Sequence, residues 1–235
     1  MTNDMNSVPL RNRPVVGDVR SLRGLAILVQ ALLVAWIPFG IAAFAANLSQ
    51  RSLLHRIVED PVGVRWSEVL ADRDRVDLLN QVFLGLLALT AIAFIAWFAV
   101  AYSNLDAFGV DRGYSTGWAV YGWLVPFLCW WRPKQLADEI WQTVDVANGG
   151  RPERQPRSPL VWSWWAAWVA CTVVALFATR GSSDDATTID EALTSNLWYS
   201  VRAVFFVVAA VLAIFVVRTI TRAQRLDVGS RAIES

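Results

Sequence analysis

Four charge-poor stretches constrain this chain more than any other feature. Gly24–Gln50 and Leu78–Leu105 carry no charged residue over 27 and 28 positions, and Pro159–Thr179 carries none over 21. Leu193–Val217 carries one, Arg202. About 20 apolar residues suffice for a helix to cross a hydrocarbon core of about 30 Å. The chain is 55% hydrophobic with a mean hydropathy of +0.40, so 235 residues leave no room for a large soluble module. The expected fold class is all-α, a polytopic integral membrane helical bundle. Its spans fall at about 25–48, 78–103, 160–179 and 196–217, in a single membrane domain 25–226. A polar cytosolic tail, 1–24, precedes it and a C-terminal tail, 227–235, follows. The run Ala42-Ala43-Phe44-Ala45-Ala46-Asn47 resembles a signal-peptidase site, but the apolar stretch before it is too long for a signal peptide. The first span is therefore expected to stay uncleaved.

A fifth apolar stretch, 115–131, behaves differently. Pro126 lies inside it, where proline removes a backbone donor and clashes with the preceding turn. Freed backbone groups are tolerated at membrane depth only where protein or trapped water satisfies them. The segment is expected to be re-entrant, or else a fifth, kinked span. Pro133 suits the first turn of a new helix, 133–147. At 100° per residue Leu136, Ala137, Ile140, Trp141, Val144 and Ala147 fall on one arc of that helix. Lys134, Gln135, Asp138, Glu139, Gln142 and Asp145 fall on the other, which is the pattern of an interfacial helix. Gly149-Gly150 is expected to end it, before a basic, proline-rich linker at 151–159.

Residues 51–60 and 64–76 mix arginine with acids around short apolar faces, and Pro61 and Gly63 separate them. They read as two further interfacial amphipathic helices, and 184–191 as an acidic loop. Arginine counting leaves the topology open. With either a dip or a fifth span, 14 basic residues fall on the cytosolic side and 6 on the other. The proline break, and Arg11, Arg13, Arg20 and Arg23 ahead of the first span, favour the dip. That layout puts both termini in the cytoplasm and the chain in the cell (inner or plasma) membrane.

Little material for catalysis is visible. Basic and acidic residues nearly cancel, 21 against 20, so nothing suggests nucleic acid. With one histidine, His55, and two cysteines in apolar stretches, Cys129 and Cys171, no metal or cofactor set is expected. The cysteines read as free buried thiols. Arg202 lies four residues after Trp198, so its stem is expected to snorkel to the headgroups and its guanidinium to stack on that indole. Nine of the 13 tryptophans fall between Trp118 and Trp168. Those at 162, 164, 165 and 168 read as an interfacial belt.

Three local patterns together resemble a family of uncharacterised bacterial membrane proteins, domain of unknown function 4328. They are Tyr114-Ser115-Thr116-Gly117-Trp118 with Val125-Pro126, Trp131-Arg132-Pro133-Lys134-Gln135 with Glu139-Ile140-Trp141, and Ile220-Thr221-Arg222-Ala223-Gln224. The likeness runs from about Ser21 to Arg225. The chain departs from the pattern at Thr116, where proline is usual, and at Cys129, where asparagine is usual. The resemblance implies a multi-spanning helical fold and brings no activity.

The candidate site lies directly after the break at Pro126 and Pro133. Arg132, Gln135 and Glu139 form a polar patch, expected to face the cytosol, with Trp130, Trp131 and Trp141 as possible walls. Arg132 either ties down loose carbonyls at Leu128–Trp131 or meets an anionic headgroup or partner carboxylate. No catalytic residue is assigned. The favoured function is a structural or accessory membrane protein that docks a partner or anionic lipid at its cytosolic face. A small-solute transporter or channel using the broken helix, and a membrane-embedded lipid-acting enzyme, are the alternatives. Beyond the lipid bilayer, the expected partners are an anionic lipid or another membrane protein, and nothing in the sequence sets the oligomeric state.

Overall fold

The computed structural model describes residues 19–60, 62–108, 110–148, 158–180 and 188–231. Pro61, Gly149-Gly150 and residues 151–157 lie outside the described residues, as do most of the N-terminal tail, most of the acidic loop and residues 232–235. Among the described residues the chain is all-helical. Its elements are α1 (Arg23–Glu59), α2 (Trp66–Ser103), α3 (Trp118–Leu124), α4 (Arg132–Ala147), α5 (Pro159–Arg180) and α6 (Ile189–Arg231). Short 3₁₀ turns lie at Asn104–Phe108 and Leu128–Trp130.

Four of these helices, α1, α2, α5 and α6, are long and apolar enough to cross a membrane. Only 28% of each apolar window is buried within the chain. Ile41 and Phe44 of α1, Leu84 and Ile92 of α2, and Val204 and Phe215 of α6 all face outward. In water each such side chain would forgo about 1.5–3 kcal/mol of burial, whereas in lipid it loses nothing. The chain is an integral membrane protein.

The helices run further than the apolar stretches. Residues 51–59 continue α1 and 66–76 open α2, with no break between either segment and its span. Helix propagation from an established helix costs far less than a new nucleus, which favours continuation through mixed sequence. Pro38 lies within α1 and does not end it. Glu68 pairs with Arg56 at 2.9 Å and with Arg65 at 3.0 Å, exposed contacts that solvent and salt screen.

The chain divides into two compact units. One comprises residues up to Gln30, Ala91–Trp162 and Phe215 onward. Its core holds Val29, Trp97, Phe98, Leu105, Leu136, Ile140, Val161, Val216 and Ile220, all fully or nearly fully buried. Trp123 packs nearly perpendicular to Phe94 and Phe98, at 5.6 and 5.8 Å. The other comprises Ala31–Thr90 and Ser163–Ile214. There Trp36 stacks on Phe206 at 5.0 Å and donates its indole N–H to Thr90 at 3.1 Å. A Cβ at Gly40 would come within 2.4 Å of Val207, so glycine allows this close helix approach. Trp164 and Trp165 are buried rather than spread along an interfacial belt, while Trp162 is half-exposed. Trp165 stacks on Trp168 at 4.8 Å and meets Trp164 at 5.8 Å.

Candidate functional site

The stretch from Val110 to Asn148 builds a helical hairpin. α3 lasts seven residues, about 10 Å, and stops where Pro126 forbids its continuation. Val125 turns extended and Phe127 takes φ 66°, a left-handed conformation rare for a side chain of that size. Local bonds then close the break. Leu128 donates to the Pro126 carbonyl at 2.9 Å, Cys129 to Val125 at 3.1 Å and Trp131 to Leu128 at 3.1 Å. Arg132 is not used for this, although the sequence makes it a candidate for those carbonyls. One-turn bonds form without any guanidinium.

Arg132 instead holds α3 to α4. Its guanidinium lies 4.1 Å from the centre of the Tyr114 ring and 5.1 Å from that of Trp118, and it donates to Gln135 Oε1 at 2.9 Å. Its stem passes Gly122, where a Cβ would stand 3.0 Å from Arg132 Cγ. The walls expected from Trp130, Trp131 and Trp141 are therefore not what surrounds this charge. Trp131 is half-exposed, Trp130 is half-buried, and the Trp141 indole donates one turn along α4 to Asp145. Burial outweighs that bond and raises the Asp145 carboxyl above its ordinary value. Lys134 is engaged as well, pairing with Asp138 at 2.5 Å and lying 4.0 Å over the Trp162 ring.

Glu139 faces inward. Tyr102, fully buried at the end of α2, donates its hydroxyl to Glu139 Oε2 at 2.6 Å. The same hydroxyl lies 3.1 Å from the Tyr114 carbonyl and accepts the Tyr114 N–H at 3.2 Å. Gly113 N–H also reaches Glu139 Oε2, at 3.1 Å, and a Cβ at 113 would sit 2.7 Å from the other carboxylate oxygen. Tyr102 and Glu139 thus hold the loop that carries Tyr114 over Arg132. Arg112 braces that loop from within, through Asp106 and Thr116.

The apolar arc of α4 faces the core as its period requires: Leu136, Ala137, Ile140 and Val144 are buried, although Ala147 at the helix end is exposed. Beneath it lies a buried polar network, of which the sequence patterns include only Thr221 and Gln224. Asn104 exchanges two 3.0 Å bonds with the Arg20 backbone and donates to Gln224 Oε1 at 3.2 Å. Gln224 donates to the Ala101 carbonyl at 3.2 Å and to Thr143 at 3.5 Å, while Trp97 donates to Thr221 at 3.2 Å. Asn104, Thr143, Thr221 and Gln224 are each at most 4% exposed. Polar residues at positions that helix periodicity assigns to the core were the available signal.

The three sequence patterns therefore meet in one unit. Tyr114 and Trp118 cover Arg132, Glu139 is tied to the Tyr114 loop, and Thr221 and Gln224 fasten α6 to α2 and α4. The family model described as Domain of unknown function (DUF4328) matches residues 65–222, two thirds of the chain. The chain belongs to this family. No curated protein and no solved structure matches it. In DUF4328 terms, the matched region holds both halves of the Arg132 clamp, with Tyr102 and Glu139.

Arg202 is far in sequence from this patch and belongs to the other unit. Its guanidinium lies 4.8 Å over both Phe83 and Tyr199, not over Trp198. Trp198 stacks on Phe177 at 5.5 Å, so that indole is already occupied. Cys129 and Cys171 are free, the first half-buried and the second buried. Among the described residues no group of three histidine, cysteine or acidic side chains is placed to hold a metal.

Proposed function

We propose that the chain is an accessory protein of the cell membrane, with four spans and both termini in the cytoplasm. In this reading the α3–α4 hairpin dips into the bilayer from the cytosolic side and presents α4 as a stiff platform for a membrane-protein partner. The observation that carries it is the contrast between the hairpin's tip and its base. At the tip Leu124 is 64%, Phe127 77% and Trp131 47% exposed, an arrangement suited to lipid. Towards the base, the side chains of Arg132 and Glu139 are spent on clamping the hairpin to the Tyr114 loop. A helix of about 10 Å is also too short to cross a core of about 30 Å.

Occupied cations favour a protein over an anionic headgroup at this face. Arg132 is taken by two rings and Gln135, and Lys134 by Asp138 and Trp162. The transporter and lipid-enzyme readings draw less from the same geometry, because the break is closed by its own backbone. A photo-crosslinking residue at Gln135 or Asn148, both exposed, should form one discrete protein adduct in intact cells. The same probe at Phe127 should label lipid only. Lipid adducts alone at Gln135 and Asn148 would overturn the protein partner.

A further inference from the structure

Arg202 lines a cavity of about 120 Å³ within the second unit, together with Trp36, Phe39, Phe83, Tyr199 and Phe206. Polar residues complete the lining: Asn47 and Gln50 of α1, Asp77 and Asn80 of α2, and Asn196 of α6. Among the described residues Arg202 makes no hydrogen bond and no ion pair, and two aromatic rings are its contacts. The guanidinium, a group with five N–H donors, thus lines a cavity with room for about four waters. Asn196, 3% exposed, donates to the Asn47 carbonyl at 2.9 Å and to Gln50 Oε1 at 3.0 Å. With its oxygen engaged, Gln50 keeps an NH₂ group to donate.

The level of this cavity follows from the three helices that build it. The charge-free run of α1 ends at Gln50, that of α2 begins after Asp77, and the charge-poor run of α6 begins at Leu193. The polar end of the cavity, at Gln50, Asp77 and Asn196, therefore lies where all three pass from polar to apolar, the headgroup level of a spanning helix, and Arg202 lies about two turns deeper. An arginine there, resting on aromatic rings and free of a carboxylate, is built to meet an oxyanion in bidentate fashion. A single guanidinium matches a single negative charge. Asp77 in the lining disfavours the second charge that free phosphate carries near neutral pH.

We infer that the Arg202 cavity binds one phosphate group, the phosphodiester of a phospholipid headgroup in the adjoining leaflet. Arg202 supplies the charge, and the amides of Gln50 and Asn80 supply further donors. The aromatic floor excludes water beneath the phosphate.

The test uses the full chain, purified in a maltoside detergent and stripped of lipid. Phosphatidylglycerol, the matching diacylglycerol and inorganic phosphate are added separately, with binding followed by native mass spectrometry and melting temperature. One phosphatidylglycerol per chain should bind and raise the melting temperature, and neither diacylglycerol nor inorganic phosphate should do so. Arg202→Gln should weaken that binding about tenfold or more, with Arg202→Lys between the two. Should Arg202→Gln not fold, Asn80→Leu, at an exposed position of the lining, should weaken binding severalfold instead. Undiminished phosphatidylglycerol binding by Arg202→Gln, or by Asn80→Leu, would overturn the site, as would equal stabilisation by diacylglycerol. Stabilisation by inorganic phosphate alone would overturn the lipid as its ligand.

Discussion

Removing one hydroxyl should loosen the whole hairpin. In Tyr102→Phe the ring that fills the core stays, but the 2.6 Å bond to Glu139 and the acceptor for the Tyr114 N–H are lost. A hydrogen bond to a charged group contributes about 1.5–3 kcal/mol when its partner stays buried. Glu139 is only half-buried and keeps the Gly113 N–H, so the lower part of that range applies. The expected cost is about 2 kcal/mol, or about 4–8 °C in melting temperature for a chain of this size. A thermal-shift assay in detergent reads it directly, with Tyr121→Phe, an exposed tyrosine of α3, as the neutral control. A double-mutant cycle with Glu139→Ala should return a coupling of about 1–2 kcal/mol. Gly113→Ala supplies the steric counterpart, because its Cβ would stand 2.7 Å from the Glu139 carboxylate. It should destabilise the parent and be nearly neutral once Glu139 is alanine. If Tyr102→Phe and Glu139→Ala add within about 0.5 kcal/mol, the two residues do not act together and the clamp is wrong.

Arg132→Ala should cost about 1–3 kcal/mol, the loss of two cation–aromatic contacts, whether or not anionic lipid is present. A loss seen only with anionic lipid would point to a headgroup site at α4 instead. Asp145 gives a pH dependence. Burial raises its folded-state pKa above the unfolded one, so ionisation costs stability, and that cost grows as pH rises through the folded value. Asp145→Asn should therefore melt higher than the parent at neutral pH. The advantage should vanish below about pH 4, and an advantage that persists there would contradict burial as its cause.

The spans were legible because length and absence of charge suffice to identify a membrane helix. The inward arc of α4 was legible too, since Leu136, Ala137, Ile140 and Val144 follow a period of 3.6 residues. Continuation of α1 through residues 51–59 was not, because mixed charge along a helix looks the same whether it lies on a membrane or extends a span. The contacts of the candidate residues were not legible. Glu139 and Tyr102 are 37 positions apart, and Asn104 and Gln224 are 120 apart. No local period encodes such pairs. What the sequence did hold was polar residues in apolar company, and Asn104, Thr143 and Gln224 stand out once the core is known. For Arg202 two aromatics are in register on its own helix, and the partner is Tyr199 three residues back, not Trp198 four back. Phe83 comes from another helix, which sequence spacing cannot bring near.

The dip of the α3–α4 hairpin is tested most directly by sidedness. In a chain with Cys129 and Cys171 replaced by alanine, single cysteines at Asp111, Asn148 and Asp190 all occupy exposed positions. A membrane-impermeant maleimide applied to intact cells and to inverted vesicles reports the side of each. With a dip, Asp111 and Asn148 react from the cytoplasmic side and Asp190 from the other. Labelling of Asp111 and Asn148 from opposite sides would contradict it and make residues 115–131 a fifth span.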